Sequence, residues 1–324
     1  MISLLSLMLP IATKLNALWQ FSRPHTVIGT TLSAIALFAI AFSQDGMNFA
    51  NFPDRFPELI WAIVACLGGN VYIVGLNQLE DIEIDKINKP HLPLASGAFS
   101  IQEARIIVAI TGIGAVAIAT WQGVFLALTV IVSLLIGTAY SLPPIRLKRF
   151  PFWASLCIFV VRGVVINLGL FLHFDRVLNQ RSDMYPNIPN EIWLLTIFVL
   201  IFTYVIAIFK DMPDTEGDAK FNIATLCINW GQKTVFNLSR QILIWLYLGT
   251  VLASSSSLIT NINIPILAIS HMSLAAVMWW QSLQVDLSDR AAISTFYQFI
   301  WKLFYLEYLI FPLAYILRFS SSST

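Results

Sequence analysis

Long apolar stretches alternate with short polar connections along almost the whole chain. A helix that crosses the hydrocarbon core of a bilayer needs about 20 mostly apolar residues. Strands of a membrane barrel would instead alternate apolar and polar residues over about 10 positions. The pattern therefore predicts an all-α integral membrane protein, with a bundle of nine transmembrane helices. The nine stretches lie at roughly 26–43, 57–76, 103–121, 123–142, 152–174, 191–209, 234–254, 264–282 and 296–317.

The composition agrees with this pattern and excludes several classes of protein. Of the 324 residues, 57% are hydrophobic and only 11% are charged, whereas about 25% are charged in an ordinary soluble domain. A soluble enzyme, a disordered chain and a disulfide scaffold are thereby excluded. The net charge of +1 provides no basic field, so we expect the lipid bilayer as a partner and no nucleic acid.

The ends of the chain and the basic residues predict its organisation. We expect one transmembrane domain over residues 1–318, with 1–22 as a surface segment and 319–324 as a disordered tail. If the N-terminus is cytoplasmic, twelve Lys and Arg residues lie on the cytoplasmic side. The opposite side then carries only Arg55, Arg176, Arg181 and Arg318. Because basic residues favour the cytoplasmic side, this bias predicts a cytoplasmic N-terminus.

The acidic residues are unevenly distributed. Eight of the 18 lie in two short segments, 80-EDIEID-85 and 211-DMPDTEGD-218, each of which follows an apolar stretch. On a continuous helix, Asn77, Asp81 and Asp85 would project from one side. Asp211, Asp214 and Asp218 would do the same. A carboxylate that faces lipid costs about 2.5–3.5 kcal/mol, so these residues are expected at the interface or in a hydrated cavity.

Carboxylate and amide oxygens are hard ligands, which favour Mg²⁺ over a softer metal. Mg²⁺ commonly uses one or two carboxylates together with the phosphate oxygens of a substrate. Two facing acidic sets therefore suggest Mg²⁺ holding a diphosphate, with nearby cations that stabilise the departing pyrophosphate. Solvated acidic loops and ordinary positive-inside topology remain the alternatives. The candidate cations and their neighbours are Lys86, Lys89, Lys210, Lys220, Tyr140, Arg146, Lys148 and Arg149.

Two polar residues inside the fifth apolar stretch also need partners. Arg162 and Asn167 are costly within a membrane unless they are paired. A salt bridge or a hydrogen bond between helices explains them as well as a substrate contact does. The aromatic run 298-QFIWKLFYLEYLIF-311 is expected to pack against other helices, although Lys302 and Glu307 are unusual there.

Several of these runs resemble a known family. The run 77-NQLEDIEIDKINKPHLPLASG-97 resembles the first signature, NxxxDxxxD, of the UbiA-type membrane prenyltransferases. The run 210-KDMPDTEGD-218 resembles their second signature, DxxxD with a preceding Asp. The segments 22-SRPHTVIGTTLS-33 and 296-FYQFIWKLFYLEY-308 are similar to the homogentisate prenyltransferase branch, and the short N-terminus is similar to its cyanobacterial members.

The resemblance implies a central cavity and a set of site residues. Asn77, Asp81 and Asp85 would hold one Mg²⁺, and Asp214 and Asp218 a second, so that the four Asp residues are catalytic. The remaining residues implied near the diphosphate or the other substrate are Arg23, Lys89, Tyr140, Arg146, Lys148, Arg162, Asn167, Lys210, Asp211 and Lys220.

The implied reaction is the transfer of a prenyl group, preferably phytyl, from its diphosphate to homogentisate. The aromatic acid loses CO₂, which gives 2-methyl-6-phytyl-1,4-benzoquinol, an intermediate of tocopherol synthesis. A solanesyl or geranylgeranyl donor, or a 4-hydroxybenzoate or chlorophyllide acceptor, is the alternative. The implied location is a cyanobacterial thylakoid or plasma membrane. A transporter is disfavoured, because the acidic residues follow the apolar stretches instead of interrupting them.

Overall fold

The protein is described here by a computed structural model. The structure describes residues 4–44, 52–179, 187–220 and 225–318, without the side chains of residues 4–12 and 216–218. The expected tail at 319–324 lies outside the described residues. Within those ranges the chain is helical and contains no strand.

The predicted nine-helix architecture is confirmed: within the described ranges, nine helical segments are long and apolar enough to cross a membrane. Most boundaries agree with the prediction within a few residues. The second and ninth segments begin earlier than predicted, because their first turns carry charged residues that extend beyond the apolar run. The nine segments are α2 (Pro24–Phe42), α3 (Phe52–Glu80), α5 (Ile101–Gln122), α6 (Val124–Ser141), α7 with α8 (Pro151–Leu178), α9 (Asn190–Phe209), α12 (Gln232–Ser254), α13 (Ile264–Ser282) and α14 (Arg290–Ile316).

The other helices are short or precede the bundle. The N-terminal helix α1 ends where the predicted surface segment ends, and its Leu15 and Trp19 are exposed. Two short helices contain only the later residues of the acidic segments: α4 (Ile82–Asn88) follows α3 and carries Asp85, and α10 (Thr215–Lys220) follows the turn after α9 and carries Asp218. These remaining helices are α1 (Leu4–Phe21), α4 (Ile82–Asn88), α10 (Thr215–Lys220) and α11 (Leu226–Trp230).

The bundle presents apolar side chains on its outside as well as inside. On α5, Ile106, Ile110 and Ile113 follow one another at helical spacing and are 51%, 66% and 72% exposed. Such a surface would be unstable in water and is suited to lipid. Helix α9 is the most enclosed segment, and its buried Phe198, Phe202 and Phe209 contribute to the main apolar core. The orientation of the N-terminus stays a prediction.

The fifth span changes its geometry in the middle. Helix α7 (Pro151–Phe159) passes into a π-helical segment, Val160–Ile166, before α8 (Asn167–Leu178) continues the span. π-Helical turns are rare and occur mainly at functional sites. Gly163 lies in this segment, and a Cβ added there would lie 2.5 Å from the Cα of Leu200 on α9. The missing side chain therefore lets the two backbones approach closely.

This contact makes Gly163 a test of the packing. Gly163→Ala would force the backbones of the π-segment and α9 apart, and overpacking of this kind costs about 1–3 kcal/mol. We expect the midpoint of thermal unfolding in detergent to fall by a few degrees relative to the unmodified protein.

Gly114→Ala is the matched control. Gly114 also lies within a transmembrane helix, but a Cβ added there meets nothing within 4 Å. Since Ala favours helix more than Gly does, this variant should be neutral or slightly more stable. Equal midpoints for the two variants would contradict the proposed close packing at Gly163.

Candidate active site

A cavity of about 1270 Å³ extends from the two acidic segments into the bundle. Side chains of α2, α3, α4, α6, the π-segment and α14 line it, together with the turn after α9. Acidic and basic residues concentrate at one end of this cavity, which we call the mouth. The mouth is defined by Asp81, Asp85, Lys89, Lys148 and Asp214.

The first acidic set lies where α3 ends. The predicted continuous helix through this region is wrong, because α3 ends at Glu80 and Asp81 takes a non-helical conformation before α4 begins. Asn77, Asp81 and Asp85 nevertheless all line the cavity. The Nδ2 of Asn77 donates to Oδ2 of Asp81 at 3.0 Å. The break places the Asp81 carboxylate at a helix end, where cations from another loop reach it.

Two of those cations come from the connection between α6 and α7. Lys148 Nζ lies 2.6 Å from Oδ2 of Asp81, and Arg146 Nη2 lies 3.2 Å from Oδ1. Burial lowers the pKa of Lys148, and the charge of Asp81 opposes this shift. Arg146 has a φ of 40°, in the left-handed region that a non-glycine residue rarely adopts. Backbone strain of this kind clusters at functional sites.

Two members of the second acidic set, Asp211 and Asp214, lie on the turn after α9, and Asp218 lies on α10. Helix α9 ends at Phe209, so the predicted single helical face for Asp211, Asp214 and Asp218 is wrong. Lys89 forms an ion pair with Asp214, and Lys210 Nζ lies 2.7 Å from Oδ1 of Asp211. The side chain of Asp218 lies outside the described residues.

The ion pair between Lys89 and Asp214 connects the two acidic segments directly, although 125 residues separate them. Lys89 follows α4 as its C-terminal cap, so it belongs to the first segment. Both segments therefore lie at the same end of the bundle, as the sequence predicts.

Asp85 differs from its neighbours. Its residue is only 5% exposed, and no ion pair to Asp85 is present among the described residues. Burial raises the pKa of its carboxyl group, and the charges of Arg23 and Lys89 oppose this shift. A buried carboxylate of this kind needs a cation from the chain or from a ligand.

The residues at the mouth fit Mg²⁺ in a particular way. Within the described residues, no three His, Cys, Asp or Glu side chains converge on a preformed metal site. The available donors are oxygens of Asn77, Asp81 and Asp85 on one side and of Asp214 on the other. Few carboxylates combined with substrate oxygens are typical of Mg²⁺ sites, whereas Ca²⁺ takes more protein ligands. The set therefore fits Mg²⁺ that is shared with a phosphate-bearing ligand.

The other predicted site residues divide into two groups. Arg23, Tyr140, Arg162, Lys210 and Asp211 line the cavity with the residues of the mouth.

Asn167, Lys220 and Arg146 do not line the cavity. Asn167 is fully buried: it donates to the carbonyl of Gly163 and accepts from the hydroxyl of Tyr308 at 2.9 Å. The alternative of a hydrogen bond between helices is therefore observed, and a substrate contact of Asn167 stays a prediction. Lys220 is exposed on α10. Arg146 contacts the carboxylate of Asp81 without lining the cavity itself.

One face of α14 lines the cavity and was not predicted from the sequence. The aromatic run was expected to pack only against other helices, yet part of it faces the cavity. Period-four spacing among these residues is the signal that could have identified the face. Glu307, by contrast, lies in the core, 3.3 Å from Nε2 of buried His271. The missed lining residues are Tyr297, Gln298, Trp301, Lys302 and Tyr305, with His25 on α2.

Known proteins match nearly the whole length of this chain. Homogentisate phytyltransferase of Synechocystis sp. is 50% identical over 300 residues, which cover 93% of this chain and 96% of the relative. Homogentisate phytyltransferase 1 of Arabidopsis thaliana is 40% identical over 307 residues, covering 92% of this chain and 75% of the relative.

Solved structures share the fold. A UbiA homolog from Archaeoglobus fulgidus bound to GPP and Mg²⁺ matches with a TM-score of 0.57 and 15% identity, covering 93% of this chain and 99% of that one. The apo structure of a UbiA homolog from Aeropyrum pernix matches with a TM-score of 0.62 and 18% identity, covering 91% and 98%. Residues 24–303 match the model of the UbiA prenyltransferase family. The chain therefore belongs to the UbiA prenyltransferase family.

Proposed function

We propose that this protein is a Mg²⁺-dependent homogentisate phytyltransferase. The observation that carries the proposal is one continuous cavity, with two acidic sets and their cations at its mouth and apolar and aromatic side chains in its interior. The mouth suits a diphosphate, and the interior suits a long isoprenoid tail. The relatives of that name in Synechocystis and Arabidopsis support the choice of substrates.

In this proposal the two acidic sets hold two Mg²⁺ ions with the diphosphate. Asn77, Asp81 and Asp85 hold one, and Asp214 and Asp218 hold the other. Ions held by these residues would supply positive charge that stabilises pyrophosphate as it leaves.

The basic residues at the mouth take a second role when substrate binds. Lys148 and Arg146 neutralise Asp81, and Lys89 neutralises Asp214, in the structure without ligand. Lys148 and Lys89 line the cavity, so with the diphosphate in place they would donate to its oxygens, whereas Arg146 stays with Asp81. Their charges then act where negative charge increases during bond breaking, so they stabilise the transition state more than the bound substrate.

The proposed reaction conserves atoms and charge. The bond between C1 of the phytyl group and oxygen breaks, and its electron pair leaves with pyrophosphate. An electron-rich ring carbon of homogentisate forms the new bond to C1 and loses its proton. The side-chain carboxylate leaves as CO₂, and the methylene carbon gains a proton to become methyl. The cation-like C1 must be kept from water, which the apolar and aromatic walls of the cavity provide.

We further propose that the mouth faces the cytoplasm of a cyanobacterial cell, at the thylakoid or plasma membrane. The bias of basic residues supports a cytoplasmic N-terminus.

Protease added to inside-out vesicles should therefore remove a tag at the N-terminus and leave one at the C-terminus. Removal of only the C-terminal tag would contradict this orientation and show that the C-terminus is cytoplasmic.

A panel of donors and acceptors tests the proposed function. Purified protein in lipid is incubated with labelled homogentisate, 4-hydroxybenzoate or chlorophyllide as the acceptor. The donor is phytyl, geranylgeranyl or solanesyl diphosphate, and each pair is tested with Mg²⁺ and with excess EDTA. The expected result is methyl-phytyl-benzoquinol in the presence of Mg²⁺, with phytyl diphosphate as the best donor and no product in EDTA. A wheat relative that is 36% identical is named a homogentisate geranylgeranyltransferase. A preference for geranylgeranyl diphosphate would therefore replace phytyl diphosphate as the proposed donor. Product formed only from 4-hydroxybenzoate or chlorophyllide would refute the function.

Neutralising one acidic residue tests the mouth. Asp81→Asn keeps the shape of the side chain but removes the charge that binds Lys148 and Arg146 and, in this proposal, Mg²⁺. We expect the turnover number to fall about a hundredfold or more, measured as product formed at saturating substrate.

Glu83→Gln is the matched control for Asp81→Asn. Glu83 lies two residues away on α4, its side chain is 70% exposed, and its ion pair is with Lys86. It does not line the cavity, so activity should stay within about twofold, because an exposed ion pair contributes little. Equal losses in both variants would mean that general charge, and not the site, is responsible.

A further inference from the structure

Arg162 is a charged residue in the middle of a transmembrane span. It lies in the π-helical segment Val160–Ile166 and lines the cavity. A guanidinium is costly at this depth, and such residues are usually retained for function. The π-segment is a second, independent feature that is typical of functional sites.

The contacts of Arg162 hold its guanidinium without neutralising it. The guanidinium lies 5.2 Å from the ring centre of Trp301 and 5.7 Å from that of Phe304. A Cβ added at Gly29 would lie 3.0 Å from Nη1 of Arg162, so the absence of a side chain at Gly29 makes room for the group. Within the described part of the chain, no carboxylate forms an ion pair with Arg162. Stacking on an aromatic face leaves the donors at the guanidinium edge available.

The position of Arg162 separates it from the diphosphate. Lys148, which binds Asp81 at the mouth, lies three residues before the start of α7 at Pro151. Arg162 is 11 residues beyond Pro151, so its Cα lies about 16 Å deeper along the span. Helical side chains lean toward the N-terminus of their helix, which brings the guanidinium back toward the mouth by a few ångströms.

The surroundings of Arg162 suit a flat ring. The ring of His25 lies 4.8 Å from that of Trp301, and the hydroxyl of Tyr305 donates to the carbonyl of His25 at 2.8 Å. These contacts join α2 to α14 beside the guanidinium. All three side chains line the cavity. A flat aromatic molecule with one anionic group could therefore lie against these rings while its anion meets the guanidinium.

We infer that Arg162 binds the carboxylate of the aromatic acceptor and thereby selects an aromatic acid; this inference rests on the proposed function. The planar guanidinium can donate two parallel hydrogen bonds to a carboxylate. The aromatic side chains hold the ring between that anchor and C1 of the donor at the mouth. The product has lost the carboxylate as CO₂, so it lacks this contact, which favours its release.

Direct binding measurements test the inference without turnover. Calorimetry compares homogentisate with its neutral methyl ester, for the unmodified protein and for Arg162→Gln. The unmodified protein should bind the acid about ten- to a hundredfold more tightly than the ester, the range for a hydrogen-bonded charge. Arg162→Gln should bind both equally weakly. In turnover its KM for homogentisate should rise by the same factor, while KM for phytyl diphosphate stays within about twofold.

Three further variants separate this role from a structural one. Arg162→Lys keeps the charge but not the planar pair of donors, so it should retain only part of the preference for the acid. Gly29→Ala leaves Arg162 in place but displaces its guanidinium, and should also weaken binding of the acid. Arg240→Gln is the matched control: Arg240 is a second arginine within a span, 4.4 Å from the ring centre of Trp279, and it does not line the cavity. It should leave the preference unchanged.

Two results would overturn the inference. An undiminished preference for the acid in Arg162→Gln would exclude the guanidinium as the anchor. A rise in KM for phytyl diphosphate alone would assign Arg162 to the donor instead. Failure of the proposed function is distinguishable, because then the unmodified protein would form no product from homogentisate with any donor.

Discussion

Carboxylates gathered at the end of an apolar helix bundle must be neutralised, and much of the structure follows from this constraint. In a medium of low dielectric constant, neighbouring like charges repel strongly and isolated charges lose their hydration. The chain meets the constraint with its own cations: Lys148 and Arg146 pair with Asp81, and Lys89 pairs with Asp214. These pairs join segments that are far apart in sequence. Each of these carboxylates can bind a metal ion once its Lys or Arg partner moves away.

The same cavity combines two environments that ordinarily exclude each other. Its mouth is charged, whereas its deeper part is lined by aromatic and aliphatic side chains. A diphosphate ester of a long isoprenoid has the same division, with a charged head and an apolar tail. The breaks after α3 and α9 place the acidic residues at helix ends, so no carboxylate of the mouth has to face lipid. Chemistry that releases an anion can therefore occur beside walls that exclude water.

Much of this arrangement could be predicted from the sequence, because the bilayer fixes the length of an apolar helix. The nine spans and the gathering of both acidic segments at one end followed from apolar length and from the spacing of charges. The break at Asp81 did not, since 80-EDIEID-85 contains neither Gly nor Pro. The π-segment around Arg162 also has no sequence signal.

Which polar residues reach the cavity depends on tertiary packing. Arg162 and Asn167 lie five residues apart in one span, yet Arg162 lines the cavity and Asn167 bonds to Tyr308 in the core. The face of α14 that carries Trp301 is likewise chosen by its packing against α2. The roles assigned to the individual site residues stay predictions until they are measured.

In the proposed mechanism, metal and diphosphate bind together at the mouth and replace the pairing between the chain's own charges. Equilibrium binding of radiolabelled phytyl thiolodiphosphate, which resists cleavage, tests this most directly when it is measured over a range of Mg²⁺ concentrations. The affinity should fall about tenfold or more when Mg²⁺ is removed, since the carboxylates then repel the diphosphate. Equal affinity with and without the metal would contradict it.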